Sequence, residues 1–459
     1  MKRRDFLKDA AIGAGALALA GCGSGTLRGR KAGGAGSDTE DGTAANSSQM
    51  EIRTNPANGD RVSLLGFGCM RWPMVKGPLG TDVIDQETVN ALVDEAIAGG
   101  VNYFDTSPVY LQGQSEAAAG IALSRYPRSS YYLATKLSNF SNHSKSASIK
   151  MYRNSFKALR TDYFDYYLLH SIGRGGYEAF KERYEDNGLM DFVLAERKAG
   201  RIRNLGFSFH GAKEEFDALL GLHEKYHWDF VQIEMNYLDW RHAKAPWNTN
   251  AEYLYGELEK RGIPVVIMEP LLGGSLAKLP DAGAEKLLQR DPASSVASWA
   301  FRFVGSYPGV LCCLSGMTNA EVLRDNLHTF SDFRPLTEEE NAFLLDLADL
   351  LDSFPTIPCT GCQYCMPCPY GIDIPGIFRH YNEMVRTGSM VTPGNQDDFK
   401  RLRRKYRVSY DRAIETVRQA DHCIHCGQCA KHCPQSIAIP RELTRIDKYV
   451  ENLRKGIPA

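Results

Sequence analysis

At 459 residues the chain exceeds what one compact core of ordinary size holds, so two folded bodies are expected. Its 54 Lys and Arg nearly cancel its 55 Asp and Glu, which excludes nucleic acid and electrostatic membrane adhesion as leading functions. Hydrophobic residues make up 43% of the sequence, enough for a core, and its 12 cysteines call for a chemical explanation.

The chain opens on an address. Arg3-Arg4-Asp5-Phe6-Leu7-Lys8 precedes an Ala, Gly and Leu run to Ala20 that is too short to span a bilayer, and Leu19-Ala20-Gly21-Cys22 closes the segment. The first motif resembles a twin-arginine export signal and the second a lipoprotein processing box, which implies a signal over residues 1–22, a lipid anchor on Cys22 and delivery to the periplasmic or cell-envelope side. The competing reading is an uncleaved or chance basic start. Residues 23–49 are Gly, Ser, Ala, Thr and charge with a single leucine, too little apolar area to offset ordering entropy, so they read as a tether. As a coil it would reach roughly 30 Å.

From Glu51 strand-like and helix-like segments alternate. Asn58-Gly59, between EIRTNP and RVSLLGFGCM, signals a hairpin that closes one end of the alternating body. Strands are expected at Leu64 to Met70, NYFDTS, YYLATKL, DYFDYYLLH, IRNLGFSF, FVQIEMNYL, PVVIMEPLL and VLCCLSG, with amphipathic helices between them. Eight such units mean a closed parallel (β/α)8 barrel more often than a doubly wound sheet, and 50–334 is assigned to it.

In such a barrel chemistry sits at the C-terminal strand ends. Asp105, Lys136, His170 and Ser208 close four consecutive strands at separations of 31, 34 and 38 residues, and Tyr110 stands in the first loop. A buried ion pair and a core histidine are the bland reading. The chemical one is that Lys136 stabilises the Tyr110 phenolate, Asp105 holds Lys136 charged, and His170 orients a carbonyl whose oxygen Tyr110 protonates.

FDTSPVY, LATK, YYLLH and GFS, in that order over about Met50 to Phe330, resemble the aldo/keto reductase family. The resemblance implies a small carbonyl or alcohol substrate, NADP(H), and Asp105, Tyr110, Lys136 and His170 as the tetrad. It further implies a nicotinamide packed against Gly68, Cys69 and Met70, a carboxamide held by Ser208 and Gln232, and adenine at Asn326, near the start of a helix. Phe209, Met268 and Val322 depart from the family's usual Asn, stacking Tyr and 2′-phosphate Arg, with Arg324 out of register. Cys312 and Cys313 read as core, Cys69 as core or a cofactor neighbour, and Trp72, Trp240 and Trp247 as pocket walls or ordinary packing.

Thr337 and Glu340 offer a capping box for a connecting helix over 335–354, which Pro355 and Pro358 end. Then come Cys359, Cys362, Cys365 and Cys368, and later Cys423, Cys426, Cys429 and Cys433, each run closing on Cys-Pro. Disulfides and zinc compete, but runs of this kind are far more typical of [4Fe-4S] clusters. IPGIFRHYNEMVRTG and SYDRAIETVRQADH between the runs look helical. Residues 355–459 therefore resemble an all-α ferredoxin-like domain with two clusters, and that resemblance implies exchanged ligands: Cys368 with Cys423, Cys426 and Cys429, and Cys433 with Cys359, Cys362 and Cys365. The first run's final spacing of two departs from the usual three. FKRLRRKYR is a solvated helix face or a docking face for a redox partner protein.

Nicotinamide gives two electrons as hydride while a cluster takes one, and the sequence offers no flavin motif to stand between them. The reading is an exported, lipid-anchored aldo/keto-reductase-type oxidoreductase with two clusters. The alternative is an electron-transfer or binding lipoprotein with a non-catalytic barrel.

Overall fold

The computed structural model describes residues 49–458 apart from 79 and 244–247. The signal, Cys22, nearly all of the tether and Trp247 lie outside the described residues. Among the described residues no helix is long and apolar enough to cross a membrane.

Eight parallel strands close a barrel in chain order: β1 Leu65–Gly68, β2 Tyr103–Asp105, β3 Tyr132–Leu137, β4 Phe164–Ile172, β5 Ile202–Phe209, β6 Phe230–Glu234, β7 Val265–Met268 and β8 Val310–Ser315. Strand side chains alternate between faces, so each strand sends every second residue inward. The lower interior is filled by Tyr103, Ala134, Tyr166, Leu168, Phe230, Val266 and Cys312. Two residues on in β2, β3, β4 and β6, the same inward row becomes Asp105, Lys136, His170 and Gln232. The alternation that builds the core thus also aims the polar groups up the barrel axis. Gly66 and Gly206 make room for this filling, since a Cβ would lie 2.5 Å from Cys312 Sγ and 2.3 Å from the Phe230 carbonyl oxygen.

Helices coat the outside. Gln86–Ala98 starts at Asp85, whose carboxylate accepts from Thr88 N at 3.1 Å, and buries Val89, Leu92, Val93 and Ala96 along one stripe. Burial of each Val or Leu among them is worth about 1.5–3 kcal/mol. At the other barrel end Ile52–Thr54 pairs with Arg61–Ser63 around Gly59 (φ +79°), and Asn55 and Asp60 both bond the Tyr166 hydroxyl. The hairpin plugs the barrel floor as its sequence suggests.

The capping box is present: Thr337 Oγ1 accepts from Glu340 N at 3.1 Å and Glu340 Oε2 from Thr337 N at 2.9 Å. Helix Glu338–Asp352 buries Leu344, Leu347, Ala348 and Leu351 in the barrel's core. The C-terminal body is built on helices Ile374–Arg386, Phe399–Ala413 and Ile439–Lys455 around Phe378, Tyr381, Tyr406, Tyr410 and Ile446. SYDRAIETVRQADH is helical only at its start. The helix ends at Ala413, Ile414 is extended, and short 3-10 turns occupy Thr416–Arg418 and Ala420–His422. β-Branched Ile414, Thr416 and Val417 are weak helix formers, and the Arg418 carbonyl accepts from Asp373 N at 3.0 Å, which ties the segment to the first of these helices.

Candidate active site

Asp105 and Lys136 form a buried ion pair at the barrel mouth, 2% and 1% exposed. Lys136 Nζ also donates to the Thr106 carbonyl at 3.0 Å, and Gln232 Nε2 donates to Asp105 Oδ2 at 3.4 Å. Burial pushes the Asp105 carboxyl up and the Lys136 ammonium down, so each is held charged chiefly by the other. His170 Nδ1 lies 2.5 Å from Ser138 Oγ and 3.3 Å from Ser107 Oγ, and the two hydroxyls are 2.9 Å apart. Burial, with Lys136 close by, holds His170 well below the usual imidazole range, so it is neutral and can turn a hydrogen bond toward a substrate.

Tyr110 stands edge-on to His170 with ring centroids 5.9 Å apart, and Lys136 Nζ lies 5.1 Å from its ring centre. The four expected residues therefore meet. Their wiring differs from the expected one: no hydrogen bond joins Lys136 to the Tyr110 hydroxyl among the described residues, and burial pushes the phenol up, with Tyr364 adding to it. The phenol keeps its proton because desolvating a phenolate outweighs the attraction of a cation already paired with Asp105.

Gly68 pairs with Asp105 across β1 and β2, with Cys69 buried beneath and Met70 at the cavity edge. Ser208 Oγ accepts from Ser171 N at 2.7 Å. Asn326 does not stand at the helix start: helix Ala320–Phe330 is capped by Asn319, whose side chain accepts from Val322 N, while Asn326 lies nearly two turns in, 1% exposed, donating to Ser315 Oγ at 2.7 Å. Helical periodicity turns that position inward toward β8. Arg324 is paired on the surface with Glu95. Cys312 and Cys313 are core, Trp240 packs on Tyr307 at 4.7 Å between ring centroids, and Trp72 stacks on Phe67 with its indole N–H unpartnered.

The second body roofs this mouth. Arg71 donates to the Thr360 carbonyl and Arg174 to the Cys433 carbonyl, while Gln435 Nε2 donates to Glu234 Oε1 at 2.7 Å. A Cβ on Gly273 would lie 2.4 Å from Thr360 Cα, so only glycine permits the approach there. Tyr364, between Cys362 and Cys365, brings its ring to 6.5 Å from both His170 and Phe140. Beneath the roof lies a cavity of 1020 Å³, whose lining includes Tyr110, Trp72, Phe140, Tyr364 and cysteines of both runs. It also reaches Met70 and Thr318, so it joins the nicotinamide end of the expected dinucleotide path to the loop before helix Ala320–Phe330. Met70 lines that end, and Gln232, bonded to Asp105, and Ser208 are the amide and hydroxyl partners a nicotinamide carboxamide takes. Tyr364, Arg71 and Arg174 were not legible as site residues, because nothing local says that a segment some 200 residues away folds over the mouth.

Cys359, Cys362, Cys365 and Cys433 wall one small void with Ile374, Phe378 and Ile437, while Cys429 has Cys368, Cys423 and Cys426 as electrostatic neighbours. The exchanged grouping is what the folded chain brings together. Among the described residues all eight thiols stand free of disulfides. Four thiols around one apolar void are the all-thiolate set that a [4Fe-4S] cluster takes.

Residues 64–348 match the Aldo/keto reductase family and residues 358–438 the 4Fe-4S dicluster domain. The oxidoreductase YqkF of Bacillus subtilis is 24% identical over 318 residues, covering 61% of this chain and 90% of that protein. Methylglyoxal reductase DkgB of Salmonella typhi is 35% identical over 132 residues, 28% of this chain and 46% of that one. L-galactose dehydrogenase of Arabidopsis thaliana is 34% identical over the same length, 28% and 40%. The chain therefore spans less than half of these last two relatives. Among solved structures, aldo-keto reductase AKR11C1 from Bacillus halodurans shares the fold with TM-score 0.52 at 23% identity, over 65% of this chain and 96% of that one. An aldo-keto reductase from Klebsiella pneumoniae in complex with NADPH does so with TM-score 0.51 at 21% identity, over 66% and 95%. With its eight-stranded barrel and a family match over most of that body, the chain belongs to the aldo/keto reductase family and carries a 4Fe-4S dicluster domain behind the barrel.

Proposed function

We propose that this oxidoreductase interconverts a carbonyl and an alcohol at the barrel mouth, linked to NADP(H), with two [4Fe-4S] clusters as electron carriers. One observation carries the reading: Asp105, Lys136 and His170 meet beside Tyr110, and Tyr110 lines a cavity whose far wall is the cluster-binding segment. Bound nicotinamide supplies hydride, and the clusters, held by Cys359, Cys362, Cys365 and Cys433 and by Cys368, Cys423, Cys426 and Cys429, pass single electrons. Gly68, Cys69, Met70, Ser208 and Gln232 would hold the nicotinamide.

The chain's own residues move the proton. Tyr110 keeps its proton at neutral pH and delivers it to the carbonyl oxygen as charge develops there, help typically worth roughly 10² to 10⁴ in rate. Neutral His170, steadied by Ser138 and Ser107, donates a hydrogen bond that orients the carbonyl. The Lys136–Asp105 pair supplies a positive end near the phenol. Export by the twin-arginine route, with a lipid anchor at Cys22, belongs to the same proposal, since that route carries folded, loaded proteins. The test is Tyr110→Phe, which should abolish carbonyl reduction while cluster absorbance stays intact. Unchanged turnover would favour a non-catalytic barrel in an electron-transfer lipoprotein.

A further inference from the structure

We infer that Arg174, a barrel residue, tunes the cluster held by Cys359, Cys362, Cys365 and Cys433: its guanidinium, lodged against the Cys433 carbonyl, makes that cluster easier to reduce. This rests on the reading that those four cysteines hold a [4Fe-4S] cluster, and it concerns how firmly the cluster holds an electron in either direction of nicotinamide-linked turnover.

The placement begins in the backbone. Arg174 follows β4, four residues beyond His170, between Gly173 (φ +105°) and Gly175 (φ +82°). A Cβ on Gly173 would lie 2.4 Å from the Phe209 ring and 2.8 Å from the His210 carbonyl oxygen, so the loop is pressed onto the end of β5 in a form that glycine alone permits. The arginine it carries donates to the Cys433 carbonyl and has Cys433 and Cys362 as its electrostatic neighbours. One strand and its loop thus present His170 to the carbonyl site and Arg174 to the cluster site.

Three cations stand near these cysteines, and their surroundings separate them. Arg379, a neighbour of Cys359, is exposed, so water screens it. Arg71 bonds the Thr360 carbonyl and has Glu269 as its counter-charge. Arg174 is half-buried, and among the described residues no carboxylate forms an ion pair with it. Glu234, the carboxyl nearest in effect to Cys433, takes its hydrogen bond from Gln435, and burial favours its uncharged form.

Reduction adds one electron to a cluster that its thiolates already make negative, with no bond made or broken and no proton moved. The apolar walls Ile374, Phe378 and Ile437 oppose that added charge. An uncancelled guanidinium at the edge of the void favours it.

The experiment takes the full chain with both clusters loaded and titrates it anaerobically with dithionite and redox mediators, following the two paramagnetic signals. The signal missing from Cys433→Ser marks the cluster beside Arg174. In Arg174→Gln that cluster should be about tenfold less reduced at a given potential, a midpoint lower by about 59 mV for a one-electron couple, while the other keeps its midpoint. Arg174→Lys, which restores a cation, should recover most of the shift. Where Arg174→Gln sheds iron, Arg174→Met is read in its place. An unmoved midpoint in a fully loaded neutral variant, equal shifts in both clusters, or a midpoint in Arg174→Lys as low as in Arg174→Gln would overturn the inference. Loss of that cluster from both neutral variants would make Arg174 a clamp on the roof and overturn it as well. Failure of the underlying reading looks different: the parent protein itself would hold iron for only one cluster, or Cys433→Ser would keep both signals.

Discussion

Tyr110 and Lys136 share the barrel mouth without a hydrogen bond between them, and this decides how the site responds to pH. Burial raises the phenol above its ordinary value of 10.0, so the donor proton is still in place in mildly alkaline solution. A group whose folded pKa is raised loses its proton only as pH climbs through that higher value, so kcat for carbonyl reduction should show no alkaline limb from Tyr110 between neutrality and about pH 9. A steady-state pH profile checks this, and an alkaline limb in that range that disappears in Tyr110→Phe would contradict it. Asp105, Lys136 and His170 were legible because strand alternation fixes where the last inward side chain of each strand must point. Ser107 and Ser138, which steady His170, were not, since short hydroxyls in loops carry no periodic signal.

Among the elements, the barrel strands were legible from β-branched and aromatic runs spaced by helical stripes, and the floor hairpin from Asn58-Gly59 alone. The small hairpin Met74–Lys76 with Asp82–Ile84 and the helix Asp281–Arg290 were missed, lying in loops whose composition does not demand structure. The β7 loop has the most local consequence. Gly273 has φ +66° and meets the Thr360 backbone, so Gly273→Val forces both a left-handed branched residue and a clash. The expected cost is on the order of 1–3 kcal/mol. It should be read as a lower thermal midpoint and faster cluster loss to an iron chelator, because the roof lifts from the mouth. A chelation rate equal to that of the parent protein would show that Thr360 does not need this contact.

For the whole molecule, the two bodies were legible separately and their docking was not. Cysteine spacing identified the cluster runs, but only the folded chain puts Tyr364 over His170 and the Cys433 carbonyl against Arg174. Exchanged ligation would make the C-terminal body cooperative across its length, since Cys433 of the second run walls the void of the first and Cys368 of the first run neighbours Cys429 of the second. Cys433→Ser should remove the cluster shared with Cys359, Cys362 and Cys365, and Cys368→Ser the other, each halving iron content and deleting a different paramagnetic signal. Loss of the same signal in both variants would argue against the exchange.

The central claim is that the cluster-binding segment forms a wall of the carbonyl site. Tyr364→Ala tests it most directly, because this residue sits in the cysteine run yet faces the tetrad. With iron content and cluster absorbance unchanged, KM for an aromatic carbonyl should rise about tenfold, equivalent to ~1.4 kcal/mol of lost stacking. Unaltered kcat and KM in a fully loaded Tyr364→Ala protein would contradict the account.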